Sequence, residues 1–191
     1  MYTLKPIDEI LEPDPAQEFF VNINKITGET NARTFRDHYS AVESINLTPS
    51  VPDDIREHFD TARNLLLYSW FIYRFMPVAE LHAYSTVEHA LRKRSGKEKY
   101  SLKKLLIFAI KAGWIKDKGF RLYNINEMPL GHEPRNDSKD NKDVQAYCKV
   151  ILDSMPFLRN SLAHGNIMLN FSAFSILAIC ADIINQIYEA K

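Results

Sequence analysis

The chain has 191 residues, 46% of them apolar and 12% aromatic, which is enough for one packed domain and little for a second. Its 24 basic and 24 acidic side chains cancel, which excludes a protein that coats nucleic acid by bulk charge but allows a local basic patch. Cys148 and Cys180 lack Cys-x-x-Cys spacing, so they offer neither a disulfide framework nor a zinc site and read as small buried apolar groups. No apolar signal core follows Met1, and the longest apolar run, Leu65 to Tyr73, is too short to span a bilayer, so the expectation is a soluble cytoplasmic protein without a membrane partner.

Residues 1–29 carry Pro6, Pro13 and Pro15 with Asp8, Glu9, Glu12 and Asp14 among them. Prolines at this spacing break long helices. The expectation is an irregular N-terminal arm lying on the main domain or on a partner subunit, with Glu18 to Ile23 a short helix or an edge strand. Residues 30–191 form the main domain. Phe35, Tyr39 and Val42 recur at helical steps, and Asn46 to Ser50 breaks the pattern. Ser50 is a candidate cap for a long helix marked by Ile55, Phe59, Ala62, Leu66, Trp70 and Tyr73. Its end is apolar nearly all round, which predicts a central helix that stops or kinks at Met76-Pro77.

The next helix is expected over 78–94, with Ala79, Leu81, Tyr84, Val87, Ala90 and Leu91 apolar and Glu88 and Arg92 four apart as an ion pair. His38, His58, His82 and His89 fall on polar helix faces and read as surface or packing residues. The basic residues Arg92, Lys93, Arg94, Lys97, Lys99, Lys103 and Lys104 then cluster against one acid, Glu98. This cluster reads either as a solvated helix end or as an RNA phosphate track with Tyr100 as a stacking platform.

Ser101 is placed to cap a short helix that ends near Gly113-Trp114, and 117–140 reads as a loop insert. His132 and Glu133 lie in that insert without a third ligand at workable spacing, so no metal site is assigned. A helix over 139–155 follows, Pro156 opens or bends the next segment, and an apolar helix runs from about Asn170 to Glu189. No strand alternation, internal repeat or Gly-rich phosphate loop is found. The fold class is all-α, an antiparallel helical bundle.

The chemistry concentrates in Phe157-Leu158-Arg159-Asn160-Ser161-Leu162-Ala163-His164-Gly165. Asn160 and His164 are four apart and share a helix face, Arg159 can swing to the same side, and Leu158 and Leu162 form a separate core-facing pair. Arginine offers a permanently charged fork matched to phosphate oxygens, and histidine exchanges a proton near neutral pH. A cation, an amide and an imidazole on one turn suit a phosphodiester and require no metal. An arginine buried in an apolar run also needs an anionic partner, either a carboxylate or a phosphate.

Arg159-Asn160-x-x-x-His164, with Ala163-His164-Gly165 at its end, resembles the Arg-x4-His signature of the HEPN superfamily. The stretch from Ala79 to Arg92 resembles the helix that such proteins set against the motif helix. The resemblance covers roughly residues 55–191 and implies a HEPN-like bundle. It also implies a homodimer that cleaves RNA without a metal or other cofactor, often in toxin–antitoxin or phage-defence systems, with an antitoxin or another defence protein as partner. Arg159, Asn160 and His164 take the family's active-site positions. Glu88, ahead of Glu80, takes the acidic position that orients Arg159 or His164. Some members are inactive, so the alternative is a non-catalytic dimeric module that binds a protein, nucleic acid or nucleotide.

Overall fold

A computed structural model describes residues 4–24, 26–121, 146–165 and 173–189. Among the described residues there are six α-helices: α1 Phe35–Glu43, α2 Asp53–Tyr68, α3 Phe75–Ser95, α4 Leu102–Lys111, α5 Ala146–Ala163 and α6 Ala173–Glu189. The chain is mostly helical, in keeping with the expected all-α class. One two-stranded antiparallel hairpin, β1 Val21–Ile23 with β2 Thr30–Ala32, is added in the arm. β1 falls within the stretch Glu18 to Ile23 expected as a short helix or an edge strand, whereas Thr30–Ala32, three residues long, is too short for alternation to register.

The central helix is α3, not the one before it. Met76, Pro77, Ala79, Ala83, Tyr84, Val87, Ala90 and Leu91 are buried on several of its sides, because α2, α4, α5 and α6 all pack on it. α2 ends at Tyr68 and a turn, 69–74, folds the chain back. Met76-Pro77 does not end a helix but sits in the first turn of α3, where a missing N–H would have had no helical partner anyway. Ile55, Phe59, Ala62 and Leu66 of α2 and Leu177, Ala181 and Ile184 of α6 are fully buried in the same core as α3. Each large side chain buried there contributes about 1.5–3 kcal/mol.

Caps differ in detail from the sequence reading. Thr34 starts α1 through a reciprocal capping box with Asp37. Ser50 does not cap α2; its hydroxyl pairs with Thr48 Oγ1 at 2.8 Å, and Pro52 stands at the N-cap with Asp53 and Asp54 in the first turn. Ser101 occupies the N-cap of α4 without a side-chain hydrogen bond. Pro156 lies inside α5, so the motif turn continues the helix before it. An interior proline costs about 3 kcal/mol, and burial of Cys148, Ile151 and Met155 in the turns before it offsets that cost. His132, Glu133 and the start of the helix expected over 139–155 lie outside the described residues.

The arm is latched to the turn 69–74. Asp14, 5% exposed, accepts from the Tyr73 amide at 2.9 Å and from the Ala16 amide at 3.0 Å. Its own amide donates to the Trp70 carbonyl at 2.8 Å, and Gln17 Nε2 donates to the Ser69 carbonyl at 3.1 Å. Cys148 and Cys180 are buried, as expected, and burial raises both thiols well above the usual range, Cys148 to about 12.

His38 is not on a polar face. It is fully buried, edge-on to Trp70 at 5.4 Å and to Phe174 at 5.2 Å, with Nε2 placed 2.9 Å from the Leu66 carbonyl. Desolvation holds its imidazole below the ordinary histidine range. The unfolded chain therefore takes up a proton that the folded state refuses, and stability falls as pH drops below about 6.5. The expected result is a urea midpoint that decreases from about pH 7 to about pH 5.5. The decrease should shrink but persist in His38→Gln, because burial also depresses His58. A midpoint independent of pH in the wild-type chain would contradict this.

Candidate active site at the α3–α5 contact

α5 is fixed at its first described turn by Asp117, whose carboxylate accepts from the amides of Tyr147 at 3.0 Å and Cys148 at 2.8 Å. From there the helix carries Arg159 across to α3. Arg159 Nη2 donates to Glu88 Oε2 at 2.9 Å, and Arg92 Nη2 donates to Glu88 Oε1 at 2.5 Å. One carboxylate, 6% exposed, thus holds two guanidinium groups, one on each oxygen. Both readings of Glu88 occur together: it is the partner of Arg92 one helical turn away, and it is the anion that Arg159 needs. Arg159 takes Glu88 rather than Glu80.

The cluster carries a surplus positive charge. The arginine side chains are 33% and 35% exposed, so their heads reach solvent, while Glu88 is closed off. The Nε atoms of Arg92 and Arg159 are buried and find no acceptor among the described residues. Arg159 Nη1 also donates to Asn160 Oδ1 at 3.2 Å, which ties the amide to the same guanidinium.

His164 follows immediately after α5. Its amide donates to the Asn160 carbonyl at 3.0 Å, and Gly165, at φ 82°, turns the chain with its amide on the Leu162 carbonyl at 3.0 Å. The His164 imidazole is exposed and bonds to no described residue. Leu158 is not core-facing as expected. It is 36% exposed, beside Phe157 at 71% and Val150 at 61%. Val150, Phe157 and His164 recur every seven residues, so an apolar stripe ends at the imidazole. That spacing is visible in the sequence, but exposure of Val150 and Phe157 comes only with the packing of α5.

The basic cluster disperses. Arg92 is held by Glu88, and Lys93 Nζ lies 2.6 Å from Asp54 Oδ1. Arg94 lies over Trp114 at 5.5 Å, and Lys97 lies between Tyr100 at 5.1 Å and Phe108 at 4.7 Å. Lys99, Lys103 and Lys104 are exposed, with Lys104 Nζ 6.0 Å from the Tyr100 ring. Tyr100 is thus already engaged by lysines, and Arg92 is the residue of the cluster that the fold joins to Arg159.

Three further histidines gather between α2 and α3. His58 stacks on His82 at 4.1 Å, lies 6.1 Å from His89, and places Nδ1 2.7 Å from Thr86 Oγ1. Among the described residues no group of His, Cys, Asp or Glu has the geometry to hold a metal ion, and no helix is long and apolar enough to cross a membrane. The chain matches no family model, no curated protein and no solved structure.

Removing the shared carboxylate leaves two guanidinium groups facing one another. Glu88→Ala is expected to lower stability by about 2–3 kcal/mol, below the range for fully buried pairs because both arginine heads are partly solvated. Sulfate should then stabilise the variant more than it stabilises wild type, by supplying the missing anion. Parallel thermal melts in sulfate and in chloride measure this, and an equal gain in the two proteins would contradict it.

Proposed function

We propose that the chain is a HEPN-type, metal-independent endoribonuclease, working as a homodimer on RNA in a toxin–antitoxin or phage-defence setting. The observation that carries this reading is the Glu88 carboxylate holding Arg92 and Arg159 together, their heads partly exposed, at the end of the helix that delivers His164.

Arg159 stabilises the charge that develops on the phosphorus as it becomes pentacoordinate. Glu88 positions Arg159 and sets its reach, and Asn160 orients it through the amide oxygen. One imidazole takes the proton of the 2′-hydroxyl while O2′ attacks phosphorus, and the bond to the 5′-oxygen breaks as that oxygen receives a proton from a second imidazole. The products are a 2′,3′-cyclic phosphate and a 5′-hydroxyl. One chain contributes a single histidine at this turn, so the second is His164 of the partner subunit.

The stripe of Val150 and Phe157 supports this dimer. A small cavity of about 80 Å³ opens beside Leu158, lined by Tyr84, Ile151, Met155 and Ile176, and it can take an apolar side chain of a second copy. A two-fold axis at this end of α5 covers Phe157 and brings two motif turns around one phosphate. Lys99, Lys103 and Lys104, at the same end of α3 as Glu88, guide the flanking RNA backbone.

Wild type and His164→Ala are compared on mixed tRNA and mRNA in EDTA, with product ends analysed. Cleavage leaving cyclic phosphate ends, reduced about 10²–10⁴-fold in the variant, is the expected result. Undiminished cleavage by His164→Ala, or 3′-hydroxyl ends, would refute the mechanism. Absence of cleavage by both, with an intact dimer in solution, transfers the exposed stripe to the second reading, a non-catalytic dimeric module.

A further inference from the structure

Glu88 offers two oxygens, and the fold gives them to two different arginines. Arg92 Nη2 sits on Oε1 at 2.5 Å and Arg159 Nη2 on Oε2 at 2.9 Å, and among the described residues these are the donors that reach the carboxylate. An arginine alone with a carboxylate prefers to take both oxygens through two parallel N–H···O bonds. Arg159 is denied that fork because Arg92 already occupies Oε1. Its Nη1 donates instead to the neutral Asn160 Oδ1, at the longer distance of 3.2 Å. Arg92 is aligned with Glu88 by α3 itself, one turn away, and holds its oxygen wherever Arg159 lies. It is also steadied from the other side, where the same Nη2 lies 3.4 Å from the Tyr100 carbonyl, in the link that follows Gly96.

From this arrangement we infer that Arg92 is a positioning residue for Arg159: by occupying one oxygen of Glu88 it keeps Arg159 in a single-donor contact, with its partly exposed head available to phosphate. Without Arg92, Oε1 is left unpaired on a carboxylate that is 6% exposed, which is costly. Arg159 is the cation already in contact with that carboxylate. Exchanging a 3.2 Å bond to a neutral amide for a charge-assisted one to Oε1 satisfies the carboxylate and turns the guanidinium away from Asn160. Arg92 does this without touching RNA. The catalytic consequence rests on the nuclease reading, whereas the rearrangement of Arg159 does not.

The test uses the full chain with Arg92→Met, a long side chain without a donor, and Arg92→Lys, which restores a donor and a charge. The Arg92 side chain is 35% exposed, so neither change empties the core. In the crystal structure of Arg92→Met, Arg159 nitrogens are expected within about 3.2 Å of both Glu88 oxygens, with Asn160 released. Arg92→Lys should return Arg159 to Oε2 alone. On RNA in EDTA, kcat should fall about 10- to 100-fold in Arg92→Met, with KM within about twofold of wild type, and Arg92→Lys should recover most of kcat. An unmoved Arg159 in Arg92→Met, with water on Oε1, overturns the inference. So does a raised KM at unchanged kcat, which would make Arg92 a phosphate ligand. If wild type itself cleaves no RNA, the nuclease reading fails and the two crystal structures still decide the position of Arg159.

Discussion

The carboxylate of Glu88 holds two arginines that would otherwise repel each other. Burying it is costly, and that cost is met only because Arg92 and Arg159 each occupy one of its oxygens. The rest of the arrangement follows from this contact. α3 is buried on several sides so that Glu88 is held away from water, and α5 is pinned by Asp117 so that Arg159 arrives at a fixed height. Asn160, bonded to Arg159, and His164, one turn later, inherit their positions from it. The pairing binds α3 to α5 and also charges the site, because two cations meet one anion.

α3 gives the molecule two unlike ends despite its neutral formal charge. Its last turn carries Arg92, Lys93 and Arg94, with Gly96 at φ 67° closing the helix, where positive charge also suits the helix dipole. The turn before its first residue is held by the N-terminal arm, through Asp14 on the Tyr73 amide and Gln17 on the Ser69 carbonyl.

Local chemistry was legible in the sequence where spacing alone decides it. The four-residue step from Glu88 to Arg92 fixes their pairing, and the need of a semi-buried Arg159 for an anion pointed to a carboxylate such as Glu88. Proline positions misled in two directions. Pro77 reads as a stop but fits a first turn, and Pro156 reads as a break but is carried within α5, because both outcomes depend on packing that no local pattern records. His38 looked polar because its neighbours Arg36 and Asp37 are; only the tertiary fold brings Trp70 and Phe174 against it. The dispersal of the basic cluster onto Asp54, Trp114 and Phe108 likewise depends on residues distant in sequence.

In the proposed mechanism two copies of the Arg159–His164 turn close around one phosphorus, with arginine meeting its charge. Isothermal titration with a uridine–vanadate complex, which mimics the pentacoordinate phosphorus, tests it most directly. A composite dimer site predicts one vanadate bound per two chains, with binding lost in Arg159→Ala. Binding of one vanadate per chain to a monomer, or binding that persists in Arg159→Ala, would contradict it.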